Sequence, residues 1–142
     1  MRTSVVDASV AIKWLVLEDK SDVAKELSSA GDHLVAPRLI MTEVANALAR
    51  KTIQGMLTRQ EAKYHLDALP RFLSELMDVD ELIEPAFENA CARRHPIYAL
   101  IDLEAARTID GQLITADLRL GAKAADTDLA RHVTLHSDWR PE

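Results

Sequence analysis

Short runs of strand-forming residues alternate along this chain with longer stretches of helical spacing, and that alternation restricts the fold more than any other feature. Val5 to Val10 reads as a strand. Ser21 to Ala30 then places Val23, Ala24 and Leu27 at helical spacing and stops at Gly31, a residue suited to the left-handed position after a helix. His33 to Ala36 reads as a second strand, and Pro37 suits the first turn of a helix whose apolar face is Ile40, Val44, Ala47 and Leu48, running on towards Lys51. Thr58 and Glu61 have capping-box spacing and open a helix carrying Ala62, Leu66 and Leu69 until Pro70 ends it. Leu76 to Val79 is a weaker strand. Ile83 to Arg93 reads as a helix with Phe87, Ala90 and Cys91 inward, and Tyr98 to Ile109 as another, stopped by Asp110-Gly111. Gln112 to Thr115 and Val133 to Leu135 are the last strands. Strands joined through helices need crossovers, so a three-layer α/β/α sandwich with a mainly parallel central sheet is expected.

The 142 residues suit one domain, which buries roughly 70% of the surface of its unfolded chain. No repeat, low-complexity tract or Pro/Gly/Ser linker divides it, so residues 1–142 read as a single unit. A net charge of −6 argues against tight nonspecific binding to nucleic acid by charge alone. Cys91 has no partner for an internal disulfide. The apolar stretch from Thr3 to Leu17 is broken by Asp7 and Lys13, falls short of the ~20 residues that span a bilayer and lacks a signal-peptide layout. The expected setting is the cytoplasm, without membrane contact.

Two apolar strands end in a carboxylate: Val5-Val6 in Asp7, and Leu113-Ile114-Thr115-Ala116 in Asp117. Acids are seldom buried without a partner, and the carboxyl ends of parallel strands are where ligands sit, so the two ends suggest one acidic pocket. A third acid, Glu43, lies in an otherwise small and apolar helical segment, with Asn46 and Arg50 three and seven residues on. That polar stripe reads equally well as a solvated helix face.

Three blocks carry a likeness to a known family: Val5-Val6-Asp7-Ala8-Ser9-Val10-Ala11-Ile12-Lys13-Trp14, then Thr42-Glu43-Val44-Ala45-Asn46-Ala47-Leu48, then His95-Pro96-Ile97-Tyr98 through Leu113-Ile114-Thr115-Ala116-Asp117. In that order the chain resembles a PIN domain, the metal-dependent ribonuclease fold of the VapC toxins of toxin–antitoxin pairs. The resemblance puts the family's first acid on Asp7, its second on Glu43 and its last on Asp117, with Ser9 and Thr115 at the accompanying hydroxyl positions. It implies Mg²⁺ or Mn²⁺ as cofactor, RNA as substrate, a cognate antitoxin as partner and a homodimer.

One position departs from the pattern. The family has an acid directly after the Tyr of the third block, where this chain has Ala99, 18 residues before Asp117 as the family interval requires. Alanine is left equally by natural loss of an acid and by its deliberate removal. Asp102, one helical turn on, stands on the same face or turns to solvent, and the solvent-facing reading is favoured. The resemblance therefore implies one cation held by Asp7 and Asp117, with Glu43 acting directly or through water, and weakened or absent activity. A non-catalytic PIN-like module that binds RNA or a partner is the alternative.

The chemistry matches these residue types. Phosphodiester hydrolysis needs a deprotonated water and a stabilised anionic centre, and a divalent cation on carboxylate oxygens provides both. Two carboxylates ~4 Å apart repel by roughly 4 kcal/mol at an effective dielectric of ~20, a penalty that a bound cation turns into affinity. A phosphotransfer domain of the haloacid-dehalogenase type wants a second Asp two residues after the first, where Ser9 stands. The histidines at 33, 65, 95, 132 and 136 form no zinc motif and read as surface or locally bonded. Lys13, Arg50, Lys51, Arg93, Arg94 and Arg119 read as scattered surface charge unless the fold gathers them to guide a phosphate backbone.

Overall fold

The computed structural model describes residues 2–142. Among them the chain runs β1 (Thr3–Val6), α1 (Ala8–Leu15), α2 (Ser21–Ser29), β2 (His33–Pro37), α3 (Ile40–Ile53), α4 (Arg59–Ala68), β3 (Glu75–Met77), α5 (Asp80–Arg93), α6 (Ile97–Thr108), β4 (Gln112–Thr115), α7 (Leu118–Ala124) and β5 (Val133–Leu135). The sheet order is β3-β2-β1-β4-β5 and every pairing is parallel.

Adjacent strand residues point to opposite faces, and both faces are covered. Val6, Leu34, Ala36 and Ile114 pack with Val10, Ala24, Val44 and Leu48 from α1, α2 and α3. Val5, Val35 and Leu113 pack on the other side with Leu82, Ala86, Leu100, Leu103 and Leu120 from α5, α6 and α7. This is the expected three-layer sandwich. Burying a valine or leucine side chain of this kind is worth about 1.5–3 kcal/mol. No helix among the described residues is long and apolar enough to cross a membrane.

Several local expectations need correction. The strand expected over Val5 to Val10 ends at Val6, and Ala8–Leu15 is a helix. The Asp7 carboxylate accepts a hydrogen bond from the Val10 amide and so caps that helix, while Val10, Ala11, Ile12, Trp14 and Leu15 are all buried. A short helix with so much of its surface buried shows no amphipathic period and reads as an apolar run. Pro37 closes β2 instead of opening α3. On α5 the inward stripe is Leu82 and Ala86 with Ala90 beside them, whereas Phe87 is 54% exposed and Cys91 is exposed. The expected face was thus about one residue, or 100° of helix, out of register. Helix α7 was not expected; elsewhere the match is close, including Gly31 at φ 87° after α2 and the reciprocal Thr58–Glu61 capping box before α4.

The connectivity positions the site. From β1 the chain builds outward through β2 and β3 on one side, then returns to place β4 and β5 on the other. The carboxyl ends of β1 and β4 therefore flank the point where the winding reverses, the place where open parallel sheets form a crevice.

Candidate active site

Asp7 follows directly on β1 and Asp117 comes two residues after β4, and the parallel register of these strands pairs Val6 with Ile114. Each acid caps the helix that begins after it: Asp7 accepts from the Val10 amide at 3.3 Å, and Asp117 from the Leu120 amide at 3.1 Å. Capping fixes the direction of each carboxylate and leaves room for a further partner. Ser9 donates its hydroxyl to Asp7 Oδ1 at 2.5 Å and accepts from the Ala116 amide at 3.1 Å. Thr115 donates to Asp7 Oδ2 and accepts from the Asp117 amide at 3.0 Å. The two hydroxyls thus tie the end of β1 to the end of β4, the supporting role expected of Ser9 and Thr115.

Asp7, Glu43 from the first turn of α3, Asp102 from α6 and Asp117 line one cleft of about 460 Å³, together with Ser9, His95 and Ala99. Asp102 overturns the solvent-facing expectation: it is 2% exposed. Its helix is buried all along Leu100–Ala106, so there was no solvent side for it to occupy. Asn46 is exposed and lines an adjoining groove with Glu43, Ser9 and Tyr98 rather than the cleft itself.

The electrostatics follow from crowding acids in a poorly hydrated space. Burial pushes the Asp7 carboxyl up against the opposing bonds from Ser9, Thr115 and Val10. Glu43 is pushed up to about 7, first by burial and then by the Asp7 charge. Asp102 lies well above the usual carboxylate range through burial and then the charges of Asp7 and Glu43, and among the described residues no hydrogen bond offsets the rise.

His95 was not anticipated as part of the site. It is 8% exposed and its Nε2 lies 3.0 Å from Asp117 Oδ2. Its place just ahead of α6 is visible in the sequence; its pairing with an acid 22 residues away is not. His132 and His136 are also buried rather than at the surface, and His132 is bonded, its Nδ1 2.9 Å from the Gly111 carbonyl. Of the cations read as scattered, Arg94 and Arg119 reach the cleft wall, joined by Lys123. Lys13 and Lys51 instead converge on Glu18, at 3.6 and 2.8 Å.

The residues present suit a hard divalent cation in their chemistry. Carboxylate oxygens are the preferred donors for Mg²⁺ and Mn²⁺, and Glu43 Oε1 is buried without a hydrogen-bond partner. Among the described residues no three Asp, Glu, His or Cys side chains converge tightly enough to form a finished ligand set. The fit is one of donor type and polarity, and a cation would have to draw the acids inward.

Comparison with known proteins accords with this arrangement. No family model matches the chain. Ribonuclease VapC3 of Pyrobaculum aerophilum is 31% identical over 121 residues, covering 84% of this chain and 92% of that protein. The chain belongs to the VapC family of PIN-domain toxin ribonucleases. Two solved structures share this fold. PAE2754 from Pyrobaculum aerophilum gives a TM-score of 0.69 at 23% identity, over 91% of this chain and 89% of that one. VapBC-1 from nontypeable Haemophilus influenzae gives 0.64 at 14% identity, over 95% and 98%.

Proposed function

We propose that the protein is a Mg²⁺- or Mn²⁺-dependent endoribonuclease, the toxin component of a toxin–antitoxin system. The observation that carries this reading is the gathering of Asp7, Glu43 and Asp117, with Asp102, in one cleft at the winding reversal of a VapC fold. Asp7 and Asp117 would hold one cation, with Glu43 completing the set directly or through water. Bound there, the cation would supply Lewis acidity and a nucleophilic water at neutral pH.

The chain's own residues have distinct tasks around it. Ser9 and Thr115 hold both oxygens of Asp7, and the Leu120 amide and His95 hold Asp117. Arg94, Arg119 and Lys123 on the cleft wall give an otherwise acidic protein a local contact for RNA phosphates. Tyr98, 59% exposed where the cleft meets the adjoining groove, offers a ring on which an unpaired base can stack.

We further propose a cognate antitoxin, a homodimer and a cytoplasmic setting, on the strength of family membership. Ala99 favours a second reading, a PIN-like module that binds RNA or a partner without turnover. Incubating the purified chain with single-stranded RNA separates the two. Cleavage in millimolar Mg²⁺ or Mn²⁺ that EDTA abolishes is expected; RNA binding with no cleavage in either metal would establish the second reading.

A further inference from the structure

We propose that Asp102 supplies the carboxylate missing at position 99: the fourth acid of the site has moved one helical turn along α6 and still faces the same cleft. The proposal rests on reading Asp7, Glu43 and Asp117 as a divalent-cation site.

Residues three apart on a helix are surface neighbours, their Cβ atoms about 5–6 Å apart. Ala99 and Asp102 have that spacing, and both line the cleft that holds Asp7, Glu43 and Asp117. Ala99 brings no carboxylate to that cleft, and Asp102 is the acid of α6 that lines it. An acid at both positions would add a fifth negative charge to a site already crowded with them.

The competing explanation is a structural buried acid, and α6 contains one for comparison. Glu104, also 2% exposed, forms an ion pair with Arg107 one turn away. Among the described residues Asp102 has no such cation. The charges acting on it are the acids Asp7 and Glu43. The same helix buries Leu100, Ile101, Leu103, Ala105 and Ala106, so an apolar residue at 102 would extend the core at no cost in polarity. A buried carboxyl without a cation or a hydrogen-bond donor opposes folding unless a ligand satisfies it. Glu43 Oε1, in the same cleft, is buried without a hydrogen-bond partner among the described residues.

Mn²⁺ binding, followed by calorimetry on the full chain alongside RNA cleavage, tests this with Asp102→Asn, Asp102→Ala and the double variant Ala99→Asp/Asp102→Ala. Asp102→Asn keeps the shape of the side chain and serves where the alanine variant folds poorly. Each single substitution is expected to weaken Mn²⁺ binding about 10- to 100-fold without lowering the Tm in EDTA, and the double variant to recover most of the affinity. Unchanged Mn²⁺ affinity in both single variants would overturn the proposal, as would a lowered Tm in EDTA with unchanged affinity, the signature of a structural acid. An Asp7→Asn control separates the two levels. Loss of Mn²⁺ binding in that control alone sinks only the relocation of the acid; unchanged binding in all variants sinks the cation site itself.

Discussion

Asp117→Asn is expected to lower divalent-dependent RNA cleavage by roughly 10²- to 10³-fold, the equivalent of the several kcal/mol that a correctly held cation contributes to a charged transition state. The fold should barely notice. Asparagine caps helices as well as aspartate does, so its Oδ1 still accepts from the Leu120 amide, while its Nδ2 is a donor that His95 Nε2 can accept only by moving the imidazole proton to the buried Nδ1. The side chain is 30% exposed, so the substitution leaves no cavity. Melting in EDTA should stay within about 5 °C of the parent chain, since the cap is kept and the main cost is one buried imidazole N–H that loses its acceptor. Cleavage and melting measured on one preparation separate the possibilities. An Asn variant that cleaves as fast as the parent removes Asp117 from the chemistry, and a large fall in Tm would assign any lost activity to damaged folding.

Metal-free protein is expected to lose stability as pH rises from about 4.5 to 8, against the usual trend for paired carboxylates. Glu43 holds its proton up to about 7 in the folded chain, whereas its ordinary value is 4.5. Between those values the folded state binds more protons than the unfolded state, so each step up in pH favours unfolding. The contribution is fully present below 4.5 and lost as pH passes through 7. Asp7 and Asp102, also raised, push the same way. Glu43 is partly exposed, and discounted for solvent screening its share is about 1 kcal/mol, or roughly 3–5 °C in Tm for a domain of this size. At pH 8, Mn²⁺ at a hundredfold excess over its Kd should restore about 2.7 kcal/mol, more than the Glu43 share. Thermal melts in EDTA that rise between pH 5 and 8, or a Tm at pH 8 that millimolar Mn²⁺ leaves unmoved, would contradict this electrostatic picture.

Much of this was legible before any coordinates. The alternation of strands and helices specified a parallel sheet covered on both faces, and the acids at the ends of β1 and β4 pointed to its crevice because strand order leaves one place where the winding reverses. Two of the illegible parts share a physical cause: burial erases periodicity. Helix α1 buries Val10, Ala11, Ile12, Trp14 and Leu15 and so reads as a continuation of the strand. Helix α6 is buried along Leu100–Ala106, so the rule that an unpaired acid faces water sent Asp102 the wrong way. Helix α7 is a seven-residue segment with Gly121 inside it, too short to show a repeat. His95 depends on a contact across 22 residues that no local pattern encodes. The cation rim was half visible: Arg94 and Arg119 were candidates, but only the fold separates them from Lys13 and Lys51, which Glu18 engages.

Crystals of the unsubstituted chain soaked in Mn²⁺ and measured at the manganese edge put the carboxylate cluster to its most direct test. An anomalous peak bounded by Asp7, Glu43, Asp102 and Asp117 is the expected result. A cleft without a peak at saturating Mn²⁺, or manganese bound only at other surfaces, would contradict the cation site and with it the nuclease chemistry built on these four acids.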